Sequence, residues 1–212
     1  MLSNPDSALS MLDAIDASEL KIDSLWAKYH FIKGYGHLKR NRSMIGDSLI
    51  IYAHDYYRGK NLVRDIRSGI VLAWYKFWVG DTPGAMTMLD SLAGLPDVPD
   101  SLMTQTLRIR VMLGASEYQG QQLIPYAKKL HELETDSLRK IEANYMLLTA
   151  YEYAGETDSA LYLLDQLVDY ARNHNWGDKH FMFELERAQL LTEKSRSAES
   201  DALIAVSYTH LR

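Results

Sequence analysis

IEANYMLLTAYEYAGETDSALYLLDQLV, residues Ile141–Val168, contains two helical stripes joined by a short turn. Leu147, Leu148 and Tyr151 share one face of a first helix, and Ala160, Leu164, Leu167 and Val168 share one face of a second, because apolar residues recurring at helical intervals line one side. Gly155 stands between the stripes, where a helix end favours a residue that tolerates the left-handed conformation. Asp158 follows, where a carboxylate favours the dipole of the next helix. Ala160 is small enough to let two helices approach closely. The stretch predicts a helix-turn-helix hairpin.

Working outward, the same kind of turn recurs: PDSAL occupies residues 5–9 and GDSLI residues 46–50. Aligning these turns places Ala8, Leu49, Ala85, Leu123, Ala160 and Ala198 in equivalent positions, at spacings of 41, 36, 38, 37 and 38 residues. Stacked hairpins give a reason for such a period, since each unit buries its apolar faces only against its neighbours. The expected units are a partial one at 1–16, then 21–58, 60–93, 100–133, 135–174 and 177–206, forming one solenoid domain over 1–206. The first is a lone helix near residues 5–16, expected to be the second half of a hairpin begun upstream, and five hairpins follow, about eleven helices with no strands. SYTHLR at 207–212 continues no upstream pattern.

Punctuation agrees with the division. Asn4-Pro5-Asp6 and Thr82-Pro83 each set a capping residue before a proline at the start of a helix. AGLPDVPDS, residues 93–101, reads as a loop between units. Pro125 is expected to start a helix late or to kink it.

The unit at 141–168 resembles the tetratricopeptide repeat family, whose pattern sets a large residue, contact positions, a tyrosine, a closing glycine, a small alanine and later apolar residues at fixed offsets. Leu147, Leu148, Tyr151, Gly155, Ala160, Leu164 and Leu167 occupy those places, with Tyr145 one place late. Ala73, Gly80, Ala85, Leu89 and Leu92 follow the pattern too, although Lys76 stands where tyrosine is expected and Tyr75 is one place early. The spacings exceed the family's period of about 34 residues. About one added helical turn lengthens a helix without rotating its buried face. The resemblance implies an all-α right-handed α-α superhelix of tetratricopeptide-like hairpins. More narrowly, NPDSALSMLDAI at 4–15 and LKRNRSMIGDSLIIYAHDYY at 38–57 resemble the N-terminal repeat domain of a group of Bacteroidota membrane-bound regulators. That resemblance implies a periplasmic sensory domain of a membrane-anchored protein; a cytoplasmic adaptor is the alternative.

Composition bounds the chemistry. With 47% hydrophobic and 24% charged residues over 212 positions, the chain can bury a substantial core, and disorder is disfavoured. A net charge of -5 argues against direct nucleic-acid binding. The absence of cysteine excludes disulfides, thiolate metal sites and cysteine nucleophiles. The N-terminus lacks a basic region followed by an apolar run, and no uncharged stretch approaches the length of a membrane span. None of the seven histidines pairs with another at metal-ligand spacing, and neither a Walker motif nor GxSxG occurs. Gly34-Tyr35-Gly36 lies inside a helical pattern, so it reads as close helix packing rather than a phosphate loop. Glu184 and Glu186 read as a solvated helix face. No cofactor, metal or catalytic group is expected.

Two features point to binding. AWYKFW crowds Trp74, Tyr75, Phe77 and Trp78 onto one helix, which must then be covered on more than one side. The tetratricopeptide resemblance implies that first helices line a groove, and its groove-facing offsets fall on Arg67, Trp74, Phe77, Trp78, Arg108, Met112, Tyr145, Thr149, Glu152, Phe183 and Arg187. Aromatics and arginine dominate binding hot spots. Trp74 and Phe77 fit ordinary inter-repeat core equally well. Residues 33–67 also hold eight basic against three acidic side chains, a segregation suited to an acidic partner or to solvated helix ends. The function expected is a non-enzymatic scaffold holding a protein or peptide segment; the alternative is a receptor domain enclosing a small ligand or signalling peptide.

Overall fold

A computed structural model describes residues 4–117 and 120–209, apart from the side chains of Ser18 and residues 196–209. Among the described residues there are ten α-helices, one 3₁₀ turn at Ala17–Glu19 and no strand, so the chain is all-α. The helices are α1 (Pro5–Asp13), α2 (Asp23–Lys39), α3 (Ile50–Tyr57), α4 (Leu62–Trp78), α5 (Thr82–Ala93), α6 (Asp100–Ser116), α7 (Gly120–Leu133), α8 (Ser137–Ala154), α9 (Thr157–Asn173) and α10 (Gly177–Thr209).

Local chemistry sets their ends. Asn4 caps α1 by accepting the Ser7 N–H at 3.1 Å, with Pro5 at the first helical position. At α5 the cap is Asp81 rather than Thr82: its carboxylate accepts the Gly84 N–H at 3.0 Å, and the helix already includes Thr82. Asn61 caps α4 and Asp136 caps α8 in the same way. Gly155 ends α8 at φ 73°, the left-handed backbone that its sequence position predicts. Pro125 does not delay α7, which begins at Gly120 and continues through it to Leu133; the missing amide withdraws one bond from the Gln121 carbonyl in the first turn.

Ten helices are found where about eleven are expected, and the difference lies at the C-terminal end. The region 177–206 is one continuous helix, α10, rather than a hairpin. No glycine or proline follows Gly177 within it to break the hydrogen-bond ladder. Of the tail expected at 207–212, residues 210–212 lie outside the described residues, as does the side chain of Ala198.

The chain divides at Gly114/Ala115 into two compact units. In the first, Ile50, Ile66, Val71, Leu89, Leu102 and Leu113 centre a core to which α2 through α6 contribute. Gly34 of α2 meets Val71 of α4 so closely that an added Cβ would stand 2.7 Å from Val71 Cγ1, and Gly36 abuts Leu9 of α1 in the same manner. This is the close packing expected of Gly34-Tyr35-Gly36. In the second unit, Leu123 and Leu130 of α7, Leu148 of α8 and Leu164 of α9 are fully buried, and α10 adds Phe183 and Leu190. There Gly120 opens α7 against the end of α8, where a Cβ would stand 2.2 Å from the Ala154 nitrogen.

Candidate functional site

In the first unit α4 presents an aromatic cluster. Trp74 is only 3% exposed, and its indole N–H donates to the Arg42 carbonyl at 3.2 Å. Phe77 stacks on it with centroids 5.9 Å apart, and Trp78 meets it edge-on at 6.0 Å. Trp74 is therefore core, and it supports Phe77 and Trp78, which stay partly exposed. Arg67 lies on the same stripe, and its Nε and the Trp78 Nε1 are both covered without a hydrogen-bond partner. On α6, Arg108 and Met112 are partly buried; Arg108 is already engaged by another group of the protein, and Met112 packs against the core.

A stripe of α2 lies outside the groove-facing set, although its Lys33 belongs to the basic segment 33–67. His37 Nδ1 lies 2.8 Å from Asp47 Oδ2, and Lys33 Nζ lies 3.4 Å from Asp47 Oδ1. One turn earlier His30 packs edge-on against Trp26, with centroids 4.4 Å apart. Burial, helped by the Lys33 charge, holds the His30 imidazole below its ordinary pKa. Trp26, His30, Lys33 and His37 recur at helical spacing, a signal visible in sequence once the histidines are read as one face with their neighbours.

In the second unit α8 places Tyr145, Thr149 and Glu152 on one stripe. The Thr149 hydroxyl donates to the Tyr145 carbonyl at 3.0 Å. Tyr145 is 38% exposed and tilts against the buried Phe183 of α10, with centroids 6.1 Å apart. Its hydroxyl reaches Glu186 Oε1 at 3.5 Å. Arg187 turns away from this cluster towards α9, where its Nε bonds Asp165 at 2.6 Å.

The expectation of a solvated face fails for Glu186, because the approach of α10 to Tyr145 half-buries it. Burial pushes its pKa up, opposed by the Tyr145 hydrogen bond, and its Oε2 is covered without a partner. Glu184 instead bonds Arg172 at 3.3 Å, partly exposed. Glu152 is displaced further, to about 7, first by burial and then by the charges of Glu186 and Glu193. The cluster can therefore hold a proton near neutral pH or meet a basic group. Among the described residues no group of three or more His, Asp or Glu side chains is placed to hold a metal ion.

Seven residues of the candidate set thus fall into two local clusters: Arg67, Trp74, Phe77 and Trp78 along α4, and Tyr145, Glu152 and Phe183 between α8 and α10. Arg108, Met112, Thr149 and Arg187 are placed chiefly by other contacts. No protein-family model matches the chain and no curated protein matches it, so its function has to be argued from its own residues.

Proposed function

We propose that the chain is a non-enzymatic, tetratricopeptide-like scaffold whose hairpins wind into a right-handed superhelix and whose first helices bind a segment of another protein. The observation that carries the reading is the aromatic cluster on α4, where the buried Trp74 supports the partly exposed Phe77 and Trp78 on the stripe that also holds Arg67. Trp78 and Phe77 add the flat apolar surface that hot spots use.

The narrower resemblance at 4–15 and 38–57 supports a sensory role within a larger membrane-anchored regulator. Among the described residues no helix is long and apolar enough to cross a membrane, so the anchor this reading requires is not among them.

The test is selection of binding peptides from a displayed random library, followed by affinity measurement on the purified chain. Replacing Arg67 and Trp78 together by alanine is expected to weaken a selected peptide at least about tenfold, the scale of one lost charge-assisted bond, while circular dichroism keeps its helical signal. Failure to enrich any peptide, or unchanged affinity in the double variant, overturns the assignment.

A further inference from the structure

Part of the basic excess of residues 33–67 stands uncompensated at one end of the aromatic cluster. Gly34 of α2 meets Val71 of α4, and further along both chains the Arg42 carbonyl accepts the Trp74 indole N–H at 3.2 Å. The two helices therefore advance in the same direction, and the end of α2 with the loop at 40–42 lies beside the last turn of α4, which carries Phe77 and Trp78. Trp74 is the link, since its nitrogen holds the loop backbone while its ring meets Phe77 and Trp78.

Some cations of the segment are balanced locally. Lys33 and His37 share Asp47, and Arg58 pairs with Asp55 at 2.9 Å. The end of α2 differs. Arg40 and Arg42 both reach a single carboxylate oxygen, Asp6 Oδ1 of α1, at 2.9 and 3.5 Å. Lys39 makes no ion pair among the described residues and leans over the Tyr35 ring, 5.4 Å from its centroid. Lys39, Arg40 and Arg42 against Asp6 alone leave a surplus of two positive charges.

Basic side chains at a helix C-terminus are ordinarily explained by the helix dipole. Here the C-terminus of α2 meets the N-terminus of α1, where Asp6 stands in the first turn. The two end charges, roughly half a unit each and opposite in sign, offset one another. The surplus faces solvent: Lys39, Arg40 and Arg42 are all exposed, and each guanidinium keeps N–H groups beyond the one spent on Asp6. The Trp78 ring lies 6.0 Å from that of Trp74, whose nitrogen touches the Arg42 backbone. An extended chain advances about 3.3 Å per residue, so about five residues suffice to engage both the cations and the aromatic surface.

We infer, on the reading that this face binds a protein segment, that the segment is acidic at one end. Two neighbouring carboxylate side chains dock on Lys39, Arg40 and Arg42, and an apolar side chain further along covers Phe77 and Trp78. Nucleic acid fits the face less well, because its affinity grows with the number of phosphates neutralised. The next turn back along α2 is offset by Asp47, and the chain as a whole carries -5.

The experiment selects peptides from a displayed random library on the purified chain and measures the strongest by fluorescence anisotropy. Enriched peptides are expected to carry neighbouring Asp or Glu residues within about five positions of a large apolar residue. Replacing those acids by Asn or Gln should weaken binding at least about tenfold, and Arg40→Gln combined with Arg42→Gln should cost about the same. The changes should not compound: the neutralised peptide should bind the unaltered and the doubly substituted chain within about twofold, since each change removes the same contact. Enrichment of peptides without acidic residues overturns the inference and leaves the binding reading standing, whereas enrichment of no peptide overturns that reading and the inference with it. An acidic peptide whose affinity is unchanged in the folded double variant overturns the inference alone. So does an oligodeoxythymidylate of equal charge that competes as strongly as the peptide. Should the double variant lose helicity, Lys39→Gln, which breaks no ion pair, replaces it, with a loss of about threefold expected and the same reversal if none occurs.

Discussion

The hairpin α4–α5 in the first unit and the hairpin α8–α9 in the second are closed alike, each by a positive-φ glycine, Gly80 at 86° and Gly155 at 73°. They are surrounded by different ionisable groups. Around α4 the first unit buries His54, whose pKa burial lowers, and the neighbouring α2 carries His30, lowered for the same reason. Against α8 the second unit half-buries Glu152 and Glu186, whose pKa values burial raises. Similar hairpins can therefore respond to acid in opposite directions. A lowered histidine takes up less proton folded than unfolded, so the stability of the first unit is present above pH 6.5 and declines as pH falls through the lowered folded value. A raised carboxyl holds more proton folded than unfolded, so the second unit gains stability as pH falls from about 7 towards 4.5.

The contrast can be broken most forcefully at the close contacts. Gly120→Ala drives a methyl into backbone of α8 and is expected to cost about 3 kcal/mol by urea denaturation. Gly34→Ala meets side chains, Val71 and Met44, which can shift, and regains helix propensity, so it should cost about 1 kcal/mol. Equal costs would show that the α7–α8 crossing is no tighter than the α2–α4 crossing.

The pH contrast comes next in size. Glu152→Gln is expected to stabilise the chain at pH 8 by about 1 kcal/mol, a value discounted because the group is only half-buried. The gain should vanish near pH 5. Hydrogen exchange between pH 7.5 and 5 should show α8 amides becoming more protected while those of α3 and α4 become less so. The same trend in both units would refute the opposed response.

The turns provide a finer comparison. Asp81 caps α5 and also bonds Lys76, so Asp81→Ala should cost about 1 kcal/mol. Glu156, at the equivalent place before α9, makes no capping bond from its side chain, and Glu156→Ala should change stability by no more than about 0.5 kcal/mol. A larger loss at Glu156 would reverse the contrast.

Much of the local architecture was legible because it depends on neighbours in sequence. Gly155 reads as a helix end wherever it stands between two apolar stripes, and Asn4-Pro5 reads as a helix start. Spacing alone predicts a turn within 177–206, but no residue there interrupts a helix, and continuous hydrogen bonding is the local default. The candidate site was only half legible. Crowding in AWYKFW marked an aromatic cluster, but periodicity could not separate the core face from the open face, and it took the Arg42 carbonyl, thirty-two residues away, to fix Trp74 inward.

The sequence by itself determined an all-α chain, most of its helix starts and stops, and the aromatic richness of α4, because helix propensity, capping and apolar periodicity act over a few residues. Tertiary structure alone decided that Glu186 is half-buried against Tyr145, that Lys33 and His37 converge on Asp47, and that Arg58 and Lys76 line one cleft beside Met88. Burial, pKa and charge balance arise where separate helices meet, and no local pattern records which side chains that meeting brings together.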